Sequence, residues 1–272
     1  MHTEQTTYLT KILEKKRERI NKEFANFSIQ DLRREAFEKR KGFVQFRLQN
    51  ALQGKEKTNV IAEFKRASPS KGKINGNISP EEIAENYLNG GAAAISVLTE
   101  QDFFKGSFVD LKRIVRAIDD KLPVLCKDFI FDERQIYQSA VSGASAVLLI
   151  VAAFKKSETE KLFDLYNLAE ELALDVLVEV HTREEIETAR TIGAKIIGIN
   201  NRNLQTFEVS LKTSEELIGF TPKDSILISE SGIKTRNDIL RLRNLGFRGF
   251  LIGETLMRSE NAQIALKKFI GS

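Results

Sequence analysis

Short apolar segments alternate with longer amphipathic ones along the chain from residue 59 onward. The short segments are rich in Val, Ile and Leu, which favour strands, whereas the longer ones space their apolar residues as a helix does. The pattern predicts eight strands: Val60–Phe64, Ala92–Leu98, Pro123–Cys126, Ala144–Val151, Asp175–Val180, Ile196–Asn200, Ile226–Ser229 and Gly249–Ile252. Strands that alternate with helices pair in parallel and are covered by those helices.

A helix is predicted after each strand. The predicted helices are Pro80–Asn89, Phe108–Ile118, Glu133–Val141, Glu158–Leu172, Arg183–Thr191, Thr213–Ile218, Arg236–Arg243 and one around Ala262–Ile270. Ser79, Thr182 and Thr235 precede three of them and are typical N-cap residues. Glycines such as Gly143 and Gly193 stand where a helix ends and the next strand begins, so we interpret them as structural.

Three further helices are predicted before the first strand, over residues 7–24, from Ser28 through Phe37, and near Phe43–Leu52. Because eight βα units close naturally into a barrel, the predicted fold is an α/β protein, a (β/α)8 TIM barrel with an N-terminal helical extension. We expect a single domain over residues 1–272, with the extension at 1–57 and the eight βα units at 58–272. The competing architecture, a doubly wound open sheet, usually carries a glycine-rich nucleotide fingerprint after its first strand, which this sequence lacks.

Composition narrows the class of protein. Of the 272 residues, 42% are hydrophobic and 29% are charged, which is ordinary for a soluble globular protein. The sequence has neither a signal-peptide pattern nor an apolar segment that could span a bilayer, so no membrane partner is expected. The single cysteine, Cys126, excludes an internal disulfide and favours a reducing, cytoplasmic location, with its thiol in the core. No His and Cys cluster has the spacing of metal ligands, so no metal site is expected.

The net charge of +4 is concentrated near the N-terminus. Residues 1–57 carry 14 basic and 8 acidic residues, whereas the remainder carries 28 and 30, a net charge of −2. Residues 58–272 have no excess of basic side chains, which argues against nucleic-acid binding. The basic runs at 15–19, 33–34 and 39–41 leave one alternative, a non-catalytic binder of nucleic acid or protein. Acidic residues interleave with these runs at helical spacing, so a solvated helix face is the favoured interpretation.

Charged residues interrupt the first predicted strand near its end. Ile61, Glu63 and Lys65 share a face, because side chains alternate along a strand. If that face is interior, the carboxylate and the ammonium are costly to bury unless they pair or serve a function. The alternative is an edge strand with a solvated salt bridge, which is nearly neutral in energy.

Polar residues recur at the carboxyl ends of the other predicted strands, the pole where barrels hold their active sites. They are Lys127 and Asp128, Glu179, Asn200 to Asn203, Glu230 and Ser231, and Gly253 to Thr255. Their recurrence at one pole indicates a common site. The turns at Ser231-Gly232 and Gly253-Glu254 suit a phosphate, because glycine lets backbone N–H groups approach and a helix N-terminus adds its dipole. A plain turn requirement is the alternative for each glycine.

Several segments together carry a family resemblance. They are Ile61–Ser70 (Ile-Ala-Glu-Phe-Lys-Arg-Ala-Ser-Pro-Ser), Ser96–Glu100 with Phe103–Ser107, Cys126–Ile130, Gly198–Leu204 and Ser229–Ile233. In this order, over almost the whole chain, they resemble the indole-3-glycerol-phosphate synthases, whose members also have a long helical N-terminal extension. Glu-Phe-Lys-Arg-x-Ser-Pro-Ser is not a generic barrel sequence, so the resemblance is specific.

The resemblance implies an enzyme of tryptophan biosynthesis. Its reaction closes 1-(2-carboxyphenylamino)-1-deoxyribulose 5-phosphate to indole-3-glycerol phosphate with loss of carbon dioxide and water. It implies no metal or organic cofactor and a small phosphorylated molecule as the partner. We expect a monomer or a weak homodimer.

Motif by motif, the resemblance implies roles for individual residues. Lys127 would protonate the ketone as the ring closes, and Glu179 would be the base in the loss of water. Lys65 would hold the substrate carboxylate. Either Lys65 or Lys127 would be the acid in dehydration, and Glu63 would orient the two lysines. Asn200 and Glu230 would hold substrate hydroxyls or neighbouring side chains. The phosphorylated substrate would also be bound by Ser68, Arg202, Ser231, Gly232, Gly253 and the backbone of Glu254. Phe104 and Phe129 would enclose its aromatic ring. Plain core packing is the alternative for the two phenylalanines.

The nearest rivals are two other phosphate-binding barrels, phosphoribosylanthranilate isomerase and the tryptophan synthase α chain. Both lack the helical extension and the Glu63 and Lys65 pair in this setting. His181 follows Glu179 by two residues and could share its face. No role in the family requires it, so we expect His181 to be structural or at the rim of the site.

Overall fold

The structure is a computed structural model that describes residues 7–54, 57–68, 72–74, 78–204 and 206–271. The strands are β1 (Asn59–Phe64), β2 (Ala67–Ser68), β3 (Gly72–Lys73), β4 (Ala94–Leu98), β5 (Val124–Lys127), β6 (Ala146–Ile150), β7 (Asp175–Val180), β8 (Ile196–Asn200), β9 (Ile226–Glu230) and β10 (Gly249–Ile252). The α-helices are α1 (Tyr8–Glu23), α2 (Ile29–Arg40), α3 (Arg47–Leu52), α4 (Pro80–Asn89), α5 (Phe108–Ile118), α6 (Glu133–Val141), α7 (Thr159–Glu171), α8 (Arg183–Thr191), α9 (Lys212–Leu217), α10 (Arg236–Leu245), α11 (Glu254–Met257) and α12 (Ala262–Ile270). Short 3-10 helices cover Val151–Ala153, Lys156–Glu158 and Ile218–Phe220. Across these described ranges, no helix has both the length and the apolar character needed to cross a bilayer.

Eight of the strands close into a parallel barrel in the order β1-β10-β9-β8-β7-β6-β5-β4. The eight predicted strands all exist, with ends within two residues of the expected positions, and the predicted (β/α)8 barrel with N-terminal helices is confirmed. Strand β1 pairs with β10 on one side and with β4 on the other. It therefore has no free edge, and the edge-strand alternative for Glu63 and Lys65 is wrong. The small antiparallel sheet of β2 and β3 was not predicted.

The alternation of side chains along the barrel strands separates two apolar regions. Ile61 and Leu125 belong to the cluster inside the barrel, whereas Val60 belongs to the cluster between the barrel and its helices. Glu63 and Lys127 each follow an inner residue by two positions, so they continue the inner register. The strand pattern therefore carries both charged side chains into the upper end of the barrel.

The predictions of a core cysteine and of three helix N-caps are confirmed. Cys126 is buried, as predicted for a core thiol. The hydroxyls of Ser79, Thr182 and Thr235 each accept a backbone N–H three residues further on, at the starts of α4, α8 and α10. These caps satisfy N–H groups that have no partner within the helix.

Helix α2 runs to Arg40, beyond the predicted end at Phe37. The guanidinium of Arg40 is buried and donates to the backbone carbonyl oxygens of Leu172 at 2.7 Å, Ala144 at 2.8 Å and Ala173 at 2.5 Å. These carbonyls lie just before β6 and β7. The contact fastens the last turn of α2 to the barrel, which explains the longer helix.

Helix α3 begins at Arg47, four residues later than the predicted Phe43. Phe46 has a left-handed backbone with φ of 61°, which interrupts a continuous helix. The carboxylate of Asp175, at the start of β7, accepts the backbone N–H of Leu48 at 2.7 Å. A side chain from a distant part of the chain therefore caps this helix, and no local pattern indicated it.

The basic runs of the extension are only partly solvated. Lys15 and Lys41 form exposed pairs with glutamates three residues away, as expected for a solvated helix face. Lys16 and Arg40 are buried, so the solvated-face interpretation is wrong for these two residues.

A buried ion pair joins helix α1 to the barrel. The Nζ atom of Lys16 lies 2.7 Å from Oδ2 of Asp128, and their side chains are 5% and 1% exposed. The same oxygen accepts the hydroxyl of Thr99 at 2.6 Å, and Oδ1 accepts the backbone N–H of Phe129 at 2.8 Å. Since Asp128 directly follows Lys127, α1 is tied to the segment that carries a candidate catalytic lysine.

Replacing Asp128 by Asn removes the charge that balances the buried Lys16 ammonium. We expect the free energy of unfolding to fall by about 3 kcal/mol, because one buried charge is left unpaired. Urea denaturation measures the loss, and amide hydrogen exchange shows whether α1 opens first. The control is Asp31→Asn, which removes the exposed partner of Arg34 and should cost less than about 1 kcal/mol. Equal stability of the two variants would contradict a structural role for the buried pair.

Candidate active site

One cavity of about 810 Å³ opens at the carboxyl ends of the barrel strands. It is lined by all the candidate residues from the sequence: Glu63, Lys65, Ser68, Phe104, Lys127, Phe129, Glu179, Asn200, Arg202, Glu230, Ser231, Gly232, Gly253 and Glu254. Parallel strands in a closed barrel end at one pole, so residues far apart in the sequence meet there. Pro69 and Ser70 of the segment that follows β1 lie outside the described residues.

Two of the ammonium groups that line the cavity lie beside carboxylates. Nζ of Lys65 is 2.5 Å from Oε1 of Glu63. Nζ of Lys127 is 3.5 Å from Oε2 of Glu179 and 3.5 Å from Oε2 of Glu230. The three glutamates are between 1% and 3% exposed. The ammonium groups therefore supply the opposite charge that buried carboxylates require.

Burial and the surrounding charges set the protonation states. Burial disfavours the Lys127 ammonium, but the carboxylates of Glu230, Glu179 and Glu63 outweigh it and raise the pKa of Lys127. Burial also acts against the Glu179 carboxylate, yet Lys127 and His181 lower the pKa of Glu179 below its ordinary value. Burial, reinforced by the negative charges of Glu179 and Glu63, raises the pKa of Glu230 to about 8. At neutral pH the site therefore holds a charged Lys127, an ionised Glu179 and a neutral Glu230.

Two glycines leave room for these carboxyl groups. A Cβ atom on Gly198 would collide with Oε1 of Glu230, and one on Gly253 would collide with Oε1 of Glu63. Gly253 has a φ of −121°, which any residue can adopt. The close approach of Glu63, rather than a turn requirement, is therefore the reason for glycine at this position.

Asn200 ends strand β8 next to the two central glutamates. Its side-chain oxygen accepts the backbone N–H of Arg202 at 3.0 Å. That contact leaves the amide nitrogen to face Glu179, where it helps to lower the pKa of Glu179. Asn200 is thus oriented by its own loop before any ligand binds.

The loops after β9 and β10 form another side of the cavity. Ser231 and Gly232 both have left-handed backbones, with φ of 65° and 82°, and such a conformation is strained for a residue with a side chain. The amide of Asn201 donates to the Ser231 carbonyl oxygen at 3.1 Å and holds this turn. Nearby, the Ser68 hydroxyl is buried without a hydrogen-bond partner in the described part of the chain. These polar groups are available to an anionic substituent of a ligand.

Two cations that the sequence analysis missed, Lys234 and Arg258, line the same cavity. Arg258 follows Glu254 by four residues, and the two side chains pair at 3.2 Å. The spacing could have predicted this pair from the sequence, because charges four residues apart on a helix are neighbours.

Aromatic side chains form the apolar wall. The rings of Phe104 and Phe129 lie 6.0 Å apart and both line the cavity. Helix α1 adds Tyr8, which packs edge-on against Phe207 at 4.7 Å. Ile12 of α1 also lines the cavity. The sequence analysis predicted this helix but assigned none of its residues to the site.

His181 lies behind Glu179 rather than among the residues that line the cavity. Its Nε2 is 3.4 Å from Oε1 of Glu179, and its Nδ1 is 3.3 Å from Oε2 of Glu185. The sequence analysis expected a structural or rim residue. The structure places the imidazole between two carboxylates.

Known proteins share both the sequence pattern and the barrel architecture of this chain. The sequence matches the family model described as "Indole-3-glycerol phosphate synthase" over residues 9–269. A relative of that name from Chlorobium luteolum is 46% identical over 256 residues, which cover 93% of this chain and 94% of the relative. Another, from Oceanobacillus iheyensis, is 43% identical over 261 residues and 94% of each chain.

Among solved structures, a mutant tryptophan synthase α-subunit from Pyrococcus furiosus is similar with a TM-score of 0.57. It is 11% identical, and the match covers 79% of this chain and 99% of that chain. At this identity the likeness shows the shared barrel fold alone. The sequence relatives, in contrast, share nearly half of their residues over almost the full length of both chains. The chain belongs to the indole-3-glycerol phosphate synthase family.

Proposed function

We propose that this chain catalyses the ring closure of 1-(2-carboxyphenylamino)-1-deoxyribulose 5-phosphate to indole-3-glycerol phosphate, with release of carbon dioxide and water. The observation that carries the proposal is one cavity, in a barrel of this family, that holds two carboxylate-paired lysines beside an aromatic wall and two polar loops. The reaction requires a proton donor, a proton acceptor and separate places for an aromatic ring and a phosphate.

Lys127 is the acid for ring closure. The surrounding carboxylates raise the pKa of Lys127, so its ammonium stays charged at neutral pH. When the aromatic carbon attacks the ketone, the ketone oxygen gains negative charge, and a proton from Lys127 neutralises it. Loss of carbon dioxide from the aromatic carbon that made the attack then restores the aromatic ring.

Glu179 is the base for the loss of water. Its lowered pKa keeps it ionised in the free protein, and its Oε2 lies 3.5 Å from the Lys127 ammonium. Glu179 removes a proton from the closed ring while an ammonium group protonates the departing hydroxyl. The two opposite charges stand close enough to act on neighbouring atoms of one intermediate.

Lys65 binds the carboxylate of the substrate. Its pairing with Glu63 at 2.5 Å fixes the ammonium in the cavity and balances its charge. Glu63 is in turn seated in the space that Gly253 leaves open. After carbon dioxide has left, the same ammonium is free to protonate the departing hydroxyl. Lys127 can do so only once it has regained the proton that it gave to the ketone oxygen.

The remaining lining residues position the substrate. Asn200 and the neutral carboxyl of Glu230 hydrogen-bond its hydroxyls, and Phe104 with Phe129 encloses its aromatic ring. Ser68, Arg202, Ser231, Gly232, Gly253 and the backbone of Glu254 bind the phosphorylated end. Both the acid and the base are side chains, so the proposed mechanism uses no cofactor.

The proposal includes the organisation of the chain. We assign residues 1–272 to one domain, an extension at 1–57 followed by eight βα units at 58–272, and the buried Lys16 and Asp128 pair that joins them supports this. The partner is a small phosphorylated molecule, with no role for nucleic acid or a membrane. We place the reaction in the cytoplasm and the chain in a monomer or weak homodimer.

Adding the anilino-deoxyribulose phosphate to the purified protein tests the function directly. Indole fluorescence should appear together with one carbon dioxide per product. A parallel isomerase assay on phosphoribosylanthranilate covers the nearest rival among barrels. If no indole product forms, the proposed function is wrong, and isomerase activity would identify the rival.

Gly198→Ala should damage the site by pushing the Glu230 carboxyl out of place. We expect kcat/KM to fall about 100-fold, because a displacement of about 1 Å at a reacting site has effects of this size. The control is Gly219→Ala, where an added Cβ has nothing within 4 Å. Steady-state kinetics on both variants measure the effect. Full activity of a folded Gly198→Ala protein would contradict the need for Glu230 at its observed position.

Lys127→Met should abolish ring closure in a protein that still folds. Loss of a general acid is expected to slow the single-turnover rate by about 1,000-fold or more. Lys121→Met is the matched control, because Lys121 is exposed on the surface. Circular dichroism checks folding, and rapid-quench kinetics give the rate. Near-normal turnover by Lys127→Met would refute its assignment as the acid.

Glu179→Gln keeps the shape of the side chain but removes the base. We expect dehydration to slow by about 100-fold or more while substrate affinity changes little. A closed, decarboxylated intermediate that retains its hydroxyl should accumulate and be visible by mass spectrometry after quenching. Glu184→Gln, at an exposed position at the start of α8, is the control. An unchanged single-turnover rate for Glu179→Gln would argue against the base role.

A further inference from the structure

His181 lies beside Glu179, in a place that the sequence analysis left open between a structural position and the rim of the site. It follows the end of β7 and precedes α8, and its side chain is 12% exposed. Nε2 is buried and, among the described residues, has no hydrogen-bond partner. The atom instead faces Oε1 of Glu179 at 3.4 Å, an ion-pair distance.

Glu185 holds the other side of the imidazole. Its Oε2 lies 3.3 Å from Nδ1 of His181 and also accepts the backbone N–H of His181 at 2.7 Å. Glu185 is itself fixed, because its backbone N–H donates to the N-cap hydroxyl of Thr182. A contact from the side chain and one from the backbone to the same oxygen orient the ring towards Glu179.

The two oxygens of Glu179 therefore face different cations. Oε1 faces His181 and Oε2 faces Lys127. A carboxylate that must abstract one particular proton works only in a narrow range of orientations. The contact of His181 with Oε1 fixes the carboxylate so that Oε2 points into the cavity, towards Lys127 and the substrate.

We propose that His181 is a positioning residue for Glu179: as an imidazolium held by Glu185, it anchors Oε1 and keeps the carboxylate ionised for the loss of water. This inference rests on the proposed function of the site. His181 does not touch the substrate, and it acts only through Glu179.

The charges around the imidazole support its protonated form. Glu185 lies on α8, Glu179 on β7 and Glu230 on β9. Lys127 on β5 contacts the other oxygen of Glu179, Oε2. Burial alone would lower the pKa of His181, but the hydrogen bond with Glu185 and the charges of Glu179 and Glu185 raise it above its ordinary value. In return, His181 contributes to the lowered pKa of Glu179.

This mutual effect gives a test that does not depend on activity. The chain has two histidines, His2 and His181, so the imidazole NMR signals of His181 are assignable by comparison with a His181→Gln protein. We expect the pKa of His181 to lie above the ordinary value of about 6.5. In Glu179→Gln it should fall by about one unit, because the facing negative charge is gone. Glu184→Gln, whose side chain is exposed, should leave it unchanged.

The kinetic test uses His181→Gln, which removes the charge but keeps a hydrogen-bond donor. We expect kcat to fall about tenfold with KM within about twofold of the wild-type value. Loss of the imidazolium should raise the pKa of Glu179, so the base becomes protonated at a higher pH. The acidic limb of the profile of kcat against pH should therefore move to higher pH. The kcat limb reports the substrate complex and the NMR titration reports the free protein, so the two effects are compared in sign: the limb moves up in His181→Gln, and the pKa of His181 moves down in Glu179→Gln.

The outcomes separate the inference from the function. A wild-type protein that makes no indole product would overturn the proposed function, while the NMR titration would still report whether His181 and Glu179 are coupled. An active wild-type protein whose acidic limb does not move in His181→Gln would overturn only the role of His181. Should His181→Gln fail to fold, Glu185→Gln gives the same decision, because it weakens the imidazolium and must shift the limb in the same direction.

Discussion

The contact of the Lys127 ammonium with the buried carboxyl groups of Glu179 and Glu230 is the interaction on which the rest of the site depends. A charge inside a barrel is expensive to desolvate, and a buried ion pair seldom stabilises a protein more than apolar packing would. The surroundings are adapted to this group at several points. The alternation of side chains along β5, β7 and β9 directs all three side chains inward, and Gly198 has no side chain at the place that the Glu230 carboxyl occupies. The arrangement is explained by chemistry rather than by stability.

The surrounding charges also give the two similar side chains Glu179 and Glu230 different protonation states. Glu179 and Glu230 lie at equal distances from Lys127, yet their pKa values are shifted in opposite directions. Glu179 has a second cation, His181, at 3.4 Å from its Oε1, whereas burial and the negative charges of Glu179 and Glu63 act on Glu230. One carboxyl group is therefore suited to accept a proton and the other to donate a hydrogen bond. Environment, not residue type, assigns these roles.

Sequence reasoning was strongest where a short repeat governs the structure. The period of two along β1 placed Glu63 and Lys65 on the same face, and the alternation of strands and helices predicted the barrel. It failed where the deciding contact joins distant parts of the chain. The Lys16 and Asp128 pair spans 112 positions, and a run of basic residues gives no sign of which one is buried. The collision that forbids a side chain at Gly198 likewise depends on a residue of the neighbouring strand.

A structure of the protein with a reduced, unreactive form of the substrate, in which an alcohol replaces the ketone, tests the central claim most directly. The account predicts that Nζ of Lys127 lies within about 3.2 Å of that alcohol oxygen, with the substrate carboxylate at Lys65 and the phosphate at the loops after β9 and β10. A bound ligand whose alcohol oxygen is remote from Lys127, while the lysine remains between Glu179 and Glu230, would contradict the account.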